Sequence, residues 1–153
     1  MSNAGGPERV VHDPIAPPVN ADGEQAYLQA DLAHKVWARL PKQLRECNAD
    51  GEELVALCQK AIYGLAVSGQ NWNKEINGHL TGPRAEGGMG FTRCAADPCM
   101  YVRRDGDVWA IAGLATDGII HLESSDAEHA DVLGALQGKY VWVDEGLVTG
   151  VDF

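Results

Sequence analysis

Short apolar runs separated by Asp-Gly dipeptides form the pattern at the centre of the chain. The runs at 99–103, 108–114 and 119–122 are joined by Asp105-Gly106 and Asp117-Gly118. An Asp-Gly pair fits a tight hairpin because both residues tolerate a positive φ angle. The pattern therefore predicts a three-stranded antiparallel meander over about 99–123.

Helical spacing of apolar residues occurs before this meander. An amphipathic helix is predicted over 70–80, because large apolar residues recur there at intervals of four: Trp72, Ile76 and Leu80. A looser spacing over 25–40, which ends before Pro41, also favours a helix.

A capping box follows the meander. The Ser125 hydroxyl and the Glu128 carboxylate can each bond a free backbone amide at the start of a helix. We expect this helix to run to about Gln137, with an apolar stripe made by Ala130, Leu133 and Leu136.

Two further segments complete the pattern and indicate the fold class. The apolar run at 54–58 has the length of a strand and also suits a helix start, whereas 140–143 and 147–151 are typical of a last hairpin. Helices interspersed with hairpins indicate an α+β fold, in which an antiparallel sheet of hairpins has helices packed on one face.

Proline content divides the chain. Residues 1–21 contain four prolines and paired glycines, so we expect an extended lead-in without a regular helix or a central strand. The remaining residues, 22–153, have the length of one ordinary domain.

Charge limits the choice of partners. Lys and Arg number 12 against 22 Asp and Glu, giving a formal net charge of −10. The region 115–153 holds eight carboxylates and one lysine, so seven of the ten excess negative charges lie there. An acidic surface repels phosphate backbones and argues against strong nucleic-acid binding.

The length of the apolar runs and the spacing of the cysteines indicate the cellular compartment. No run approaches the roughly 20 apolar residues that span a bilayer, and the first residues lack the apolar core of a signal peptide. We therefore expect an intracellular protein, cytoplasmic or nuclear, without a membrane partner. The four cysteines lack zinc-knuckle spacing and are expected to be reduced core residues: Cys47, Cys58, Cys94 and Cys99.

Several motifs occur in a fixed order along the chain. They are Ala-Tyr-Leu-Gln-Ala-Asp-Leu at 26–32, Tyr-Gly-Leu at 63–65 followed by Trp72, Gly90-Phe91 followed by Asp-Pro-Cys-Met-Tyr at 97–101, and Trp-Val-Asp-Glu-Gly at 142–146. From about Asp22 to the end, this order resembles copia-type retrotransposon reverse transcriptases. The resemblance implies a palm-and-fingers fragment of an RNA-directed DNA polymerase, a nucleotidyltransferase, without a thumb or RNase H region.

The resemblance also implies a chemistry. The family uses two divalent cations to activate a primer hydroxyl and to stabilise charge on the phosphates, and Mg²⁺ requires oxygen ligands. Asp22 matches the first catalytic aspartate, and Asp117 matches the first aspartate of the Asp-Asp hairpin. The implied cofactor is Mg²⁺ or Mn²⁺, and the implied partners are a template-primer and a deoxynucleoside triphosphate.

Other positions match the family or depart from it. Tyr27 matches the nucleotide-binding aromatic gate that would clash with a ribose 2′ hydroxyl. Gly118 stands where the family has its second aspartate, and Gly23 stands where a valine is usual. Three family residues that help hold nucleotide and template are replaced by Ala66, Val67 and Gly69. The resemblance therefore implies a metal site that lacks one carboxylate and binds its cation weakly.

Each candidate also has an ordinary structural interpretation. Asp22-Gly23 and Asp117-Gly118 are both good turns without any function. Tyr27 can instead pack beside Leu32 or Val36, and Trp72 is expected in the core. His121 is expected on a sheet face rather than as a ligand, and Arg103-Arg104 at a solvated hairpin end rather than on phosphate.

Two functions of different kinds follow from these observations. The first is a reverse-transcriptase-like domain that is catalytically weak or inactive because its hairpin reads Asp117-Gly118. The alternative is a small acidic α+β module for protein interaction, without polymerase activity, in which the motif matches are remnants or accidents.

Overall fold

A six-stranded antiparallel sheet lies at the centre of the structure, which is a computed structural model describing residues 18–148. Its strands are β1 (Val19–Gly23), β4 (Thr92–Arg93), β5 (Met100–Asp105), β6 (Val108–Ala115), β7 (Gly118–Glu123) and β8 (Trp142–Leu147). Their spatial order is β4-β5-β6-β7-β1-β8. The α+β class and the predicted meander are therefore confirmed.

Three helices accompany the sheet: α1 (Ala26–Gln29), α2 (Ser68–Thr81) and α3 (Asp126–Gln137). The amphipathic pattern of α2 is confirmed, since Trp72, Ile76 and Leu80 are all buried. Ser125 caps α3 by accepting a hydrogen bond from the Glu128 amide, as the capping box predicts. The stripe predicted for α3 is partly wrong. Ala130 is exposed, and the buried residues are Val132 and Leu136, because the face of α3 that packs on the sheet is rotated about the helix axis from the predicted face.

A second, two-stranded sheet occupies much of the region predicted to be helical. Only α1 is helical there, and the chain continues as β2 (Asp31–Arg39), which pairs antiparallel with β3 (Val55–Lys60). The prediction of a helix over 25–40 was wrong, because cross-strand pairing with a distant segment overrides a weak helical spacing. The ambiguous run at 54–58 belongs to this strand pairing.

The ends of the large sheet differ from the predictions. Val19–Gly23 forms β1 between β7 and β8, so the expectation that 1–21 holds no central strand is wrong for residues 19–21, while 1–17 lie outside the described residues. Instead of a last hairpin, 142–147 is one strand, in which Glu145 is an extra residue opposite the Asn20/Ala21 step. Gly146, with φ 80°, absorbs this bulge. Residues 149–151 lie outside the described residues.

In both hairpins of the meander, the two turn residues are shifted by one position from the predicted Asp-Gly pair. Asp105 pairs with Val108 and Ala115 pairs with Gly118, so the turn residues are Gly106-Asp107 and Thr116-Asp117. Gly106 has φ 61° without strain, whereas Thr116 has φ 54°, which is uncommon for a β-branched residue. The second turn therefore requires support from outside the hairpin.

The core lies between the large sheet and the helices. Alternation along the strands directs Ala21, Ala112 and Ile119 toward α2 and α3, where aromatic rings fill the remaining space. Trp72 meets Tyr140 edge-on at 5.3 Å between ring centroids. No helix within residues 18–148 is long and apolar enough to cross a membrane.

Arg103 joins β5 to α3 from a buried position. Its guanidinium lies 5.0 Å from the Phe91 ring centroid, donates to the Met89 carbonyl at 2.7 Å, and pairs with Glu128 and with Asp131 at 2.8 Å. The prediction that Arg103 is solvated at a hairpin end was wrong, since only Arg104 is exposed there. A charge at this depth requires paired carboxylates, which α3 supplies.

The carboxylate of Asp131 also forms a two-pronged pair with Arg84, at 2.8 Å for each contact. Hydrogen bonds from Arg84 and then from Arg103 lower the pKa of Asp131 below its ordinary value of 3.8. A carboxyl whose pKa is lowered by folding stabilises the fold above its unfolded pKa, and this contribution is lost as pH falls through the folded value.

We therefore expect Asp131→Asn to lower the free energy of unfolding at about pH 7 by roughly 0.5–1 kcal/mol, because the carboxylate is only partly buried. The difference between wild type and variant should shrink as pH falls below 3.8 and through the lowered folded pKa of Asp131, where its carboxyl becomes neutral. Urea unfolding at several pH values measures this. Asp107→Asn, at an exposed turn residue, is the control and should leave the free energy of unfolding nearly unchanged. A difference that persists in acid would contradict the ion-pair account.

Candidate functional site

Asp22 and Asp117 lie at the same end of two neighbouring central strands. In the β1–β7 pairing, Asp22 is directly opposite Gly118. The Gly23 amide donates to the Asp117 carbonyl at 2.9 Å, which joins the end of β1 to the β6–β7 turn. The backbone segments that carry Asp22 and Asp117 are therefore neighbours in the fold, although they are distant in the chain.

The position of Asp22 on β1 places its side chain on the face of the sheet away from the helices. Val19, Ala21 and Gly23 are buried on the helix side, whereas Asn20 and Asp22 alternate with them and are half-buried. Asp117 is half-buried as well. Among residues 18–148, no basic side chain forms an ion pair with either carboxylate.

The same open face carries an apolar groove of about 450 Å³. Its lining includes Met100, Ile111, Gly113, Ile120 and Leu122 from the three strands of the meander. Asp22 and this groove therefore lie on the same face of the sheet, which no helix covers among the described residues.

Trp72 supports the turn that carries Asp117. Its indole Nε1 donates to the Thr116 carbonyl at 2.7 Å, and the ring itself is buried. This bond joins α2 to the strained turn and fixes the peptide immediately before Asp117. The prediction that Trp72 lies in the core is confirmed, but nothing in the local sequence pattern pointed to this partner.

Gly23 is in close contact with the same turn. A Cβ atom at this position would lie 3.1 Å from the Asp117 carbonyl oxygen and 3.3 Å from the Trp142 ring. The Trp142 ring thus occupies the space beside Gly23. A larger side chain would push β1 away from the Asp117 turn.

Tyr27 lies on α1, at the junction of the two sheets. Its ring is half-buried and packs against Tyr63, with 5.0 Å between ring centroids. Tyr63 belongs to the Tyr-Gly-Leu motif, so two segments of the proposed family resemblance contact each other here. The sequence predicts packing beside Leu32 or Val36, and the aromatic partner of Tyr27 in the structure is Tyr63.

A second polar cluster lies on the helix-covered face. The Nδ1 atom of His121 is 2.7 Å from one carboxylate oxygen of Glu123, and the Nδ1 atom of His129 is 3.4 Å from the other. The two imidazole rings stack with their centroids 5.3 Å apart. His121 does lie on a sheet face, as expected, but that face is the buried one.

Part of this cluster is visible in the sequence. His121 and Glu123 are two residues apart on a strand, so their side chains share a face. His129 follows the Ser125 cap by one helical turn, which returns it toward the end of β7. Placing α3 over that face of β7 required the tertiary structure.

The cysteines are free, as expected, but they are not core residues. Cys47 and Cys99 are exposed, and Cys58 and Cys94 are half-buried. They lie outside the aromatic core and outside both polar clusters.

Comparison with known proteins adds no relative: no family model, curated protein or solved structure matches the chain.

The bond between Trp72 and Thr116 leads to a paired test. Trp72→Phe removes both indole packing and the hydrogen bond, whereas Trp142→Phe removes indole packing only, since the buried Trp142 Nε1 has no partner within residues 18–148. We expect Trp72→Phe to lower the free energy of unfolding by about 1 kcal/mol more than Trp142→Phe.

Urea unfolding measures the two losses, and amide chemical shifts of residues 115–118 report on the turn. These shifts should change in the Trp72 variant beyond the change in the Trp142 variant. Equal losses, with the turn undisturbed in both, would show that the hydrogen bond does not support the Asp117 turn.

Proposed function

We propose that the chain is a reverse-transcriptase-like palm domain whose metal site is incomplete, so that it binds a divalent cation weakly and has little or no polymerase activity. The observation that carries this proposal is the register of β1 against β7, which sets Asp22 opposite Gly118 and beside Asp117. The family resemblance assigns carboxylates to these same positions from the sequence alone, independently of the strand pairing.

The open face supports this proposal through its chemistry. Two carboxylates supply oxygen ligands, and a hard cation such as Mg²⁺ prefers oxygen ligands and keeps several waters. One cation can therefore bind between Asp22 and Asp117 with water completing its shell. Two cations in fixed positions, which phosphoryl transfer by this class requires, need more carboxylates than two.

Gly118 is where the missing carboxylate would stand. A Cβ atom there would have no heavy atom nearer than the Ala115 carbonyl at 3.7 Å, and the backbone φ lies outside the left-handed region. An aspartate can therefore replace this glycine without backbone strain. Directly opposed residues of antiparallel strands have Cβ atoms roughly 4.5–5.5 Å apart, so the new carboxylate would face Asp22.

We expect Gly118→Asp to lose stability without metal, by roughly 0.5–1 kcal/mol, because like charges then face each other across the strands. About 10 mM Mg²⁺ or Mn²⁺ should more than reverse this loss. If the dissociation constant is about 1 mM, the gain is about 1.4 kcal/mol, since the cation binds only the folded arrangement. Thermal melting with and without metal measures both effects.

Ile120→Asp is the matched control, because it places a carboxylate on the same face of the same strand, opposite Asn20 instead of Asp22. It should lose stability without a comparable metal response. Changing Asp22 to Asn in the Gly118→Asp protein should abolish the metal gain. A Gly118→Asp protein that responds to metal no more than wild type would remove the chemical basis of the proposal and favour the interaction-module alternative.

Wild-type protein should extend a primer on an RNA template only near background, because the second metal lacks its ligands. The acidic charge should also keep template-primer binding weak. Incorporation of labelled nucleotide with Mg²⁺ or Mn²⁺ measures this. Robust extension that Asp117→Asn abolishes would show that two carboxylates suffice and that the incomplete-site account is wrong.

A further inference from the structure

We propose that His121, Glu123 and His129 form a binding site for a transition-metal dication of the zinc class. Each residue offers a ligand atom, and these atoms lie within 4.8 Å of one another. Neutral imidazole nitrogens and a carboxylate oxygen are ligands that Zn²⁺ prefers. The site is distinct from the Asp22 and Asp117 carboxylates, since β7 directs this cluster toward the helices.

The three side chains lie near the spacing of a metal site. Metal-to-ligand distances of about 2.0–2.2 Å in a tetrahedral site place the ligand atoms roughly 3.3–3.6 Å apart. The 3.4 Å contact of Glu123 with His129 Nδ1 has this spacing, whereas the 2.7 Å contact with His121 Nδ1 would lengthen by roughly 0.6–0.9 Å on metal binding. For each imidazole to bind the metal ion through Nδ1, its ring proton must lie on Nε2, which leaves the Nδ1 lone pair free.

The unpartnered nitrogen of His121 permits a change of tautomer. His121 is fully buried, and its Nε2 atom has no hydrogen-bond partner within residues 18–148. Moving the ring proton from Nδ1 to Nε2 frees the Nδ1 lone pair and breaks no hydrogen bond at Nε2. Metal ligation then takes the place of the hydrogen bond between Nδ1 and Glu123.

The three ligands are held by the fold rather than by the cluster alone. His121 and Glu123 lie on a central strand, and the turn into α3 is fixed because Ser124 donates its amide to the Trp109 carbonyl at 2.9 Å and accepts the Trp109 amide at 3.0 Å. The first turn of α3, which carries His129, is held by the pairing of Arg103 with Glu128. Ligands fixed before binding favour affinity.

Access to the site is from one side only. The side chains of His121 and Glu123 are buried, whereas that of His129 is 27% exposed. A metal ion bound here would have three protein ligands and one or more positions open toward solvent, which water or a small anion can occupy. Catalytic zinc sites keep such an open coordination position, whereas structural zinc sites are closed by four protein ligands.

Zinc titration against a chromogenic chelator tests the proposal, with all four cysteines changed to serine in every protein so that thiolates do not bind the metal. We expect one Zn²⁺ per chain. His129→Ala should weaken binding by at least about tenfold, a loss seen even for outer partners of metal ligands. His129 is the chosen residue because it is the most exposed of the three, and circular dichroism checks that the variant folds.

His34→Ala is the matched control, because His34 is an exposed histidine on β2 and should not affect zinc affinity. Co²⁺ in place of Zn²⁺ should give visible absorption bands of a nitrogen- and oxygen-ligated site in the control and not in His129→Ala. Equal zinc affinity of the cysteine-free parent and its His129→Ala variant would overturn the proposal. A loss of zinc affinity in His34→Ala as large as that in His129→Ala would overturn it as well.

Asp117→Asn separates this site from the one on the open face. We expect the variant to bind Zn²⁺ as wild type does, since Asp117 lies outside the cluster. If Asp117→Asn removes zinc binding and His129→Ala does not, the ion belongs to the open face and the His121 site is refuted. Failure of the His121 site in this form leaves the Asp22 and Asp117 proposal intact.

Discussion

The hydrogen bond from the Trp72 indole to the Thr116 carbonyl connects the helical layer to the end of the sheet that carries Asp22 and Asp117. Thr116 has a φ angle that a β-branched residue rarely adopts, so the turn is held by tertiary contacts rather than by its own preference. The same tryptophan packs against Tyr140 and Trp142. One buried ring therefore fixes α2, the start of β8 and the turn that presents Asp117.

Strand β7 separates the two candidate sites through simple alternation. Gly118 and Ile120 belong to the open face, whereas Ile119, His121 and Glu123 face the helices. The open face carries oxygen ligands near an apolar groove, which suits a hydrated hard cation. The covered face carries two imidazoles and a carboxylate in a mostly buried setting, which suits a softer ion.

The features predicted well from the sequence are those in which local chemistry and tertiary contacts agree. The capping box of α3 and the four-residue spacing of α2 need only neighbours along one helix, so they formed as expected. The region 25–40 failed because its helical spacing was weak and the pairing of β2 with β3 joins residues that are distant in the chain. The predicted last hairpin failed because Gly146 accommodates a bulge instead of a turn.

The sequence by itself determined the α+β class, the meander, the two longer helices and the choice of Asp22 and Asp117 as candidate metal ligands. Only the tertiary structure decided that Asp22 lies opposite Gly118, and that His129 reaches Glu123 across the end of β7. Helical periodicity and hairpin turns depend on residues within about ten positions of each other, so they are visible along the chain. The order of strands, and which helix covers which face, depends on burying apolar surface from the whole domain at once.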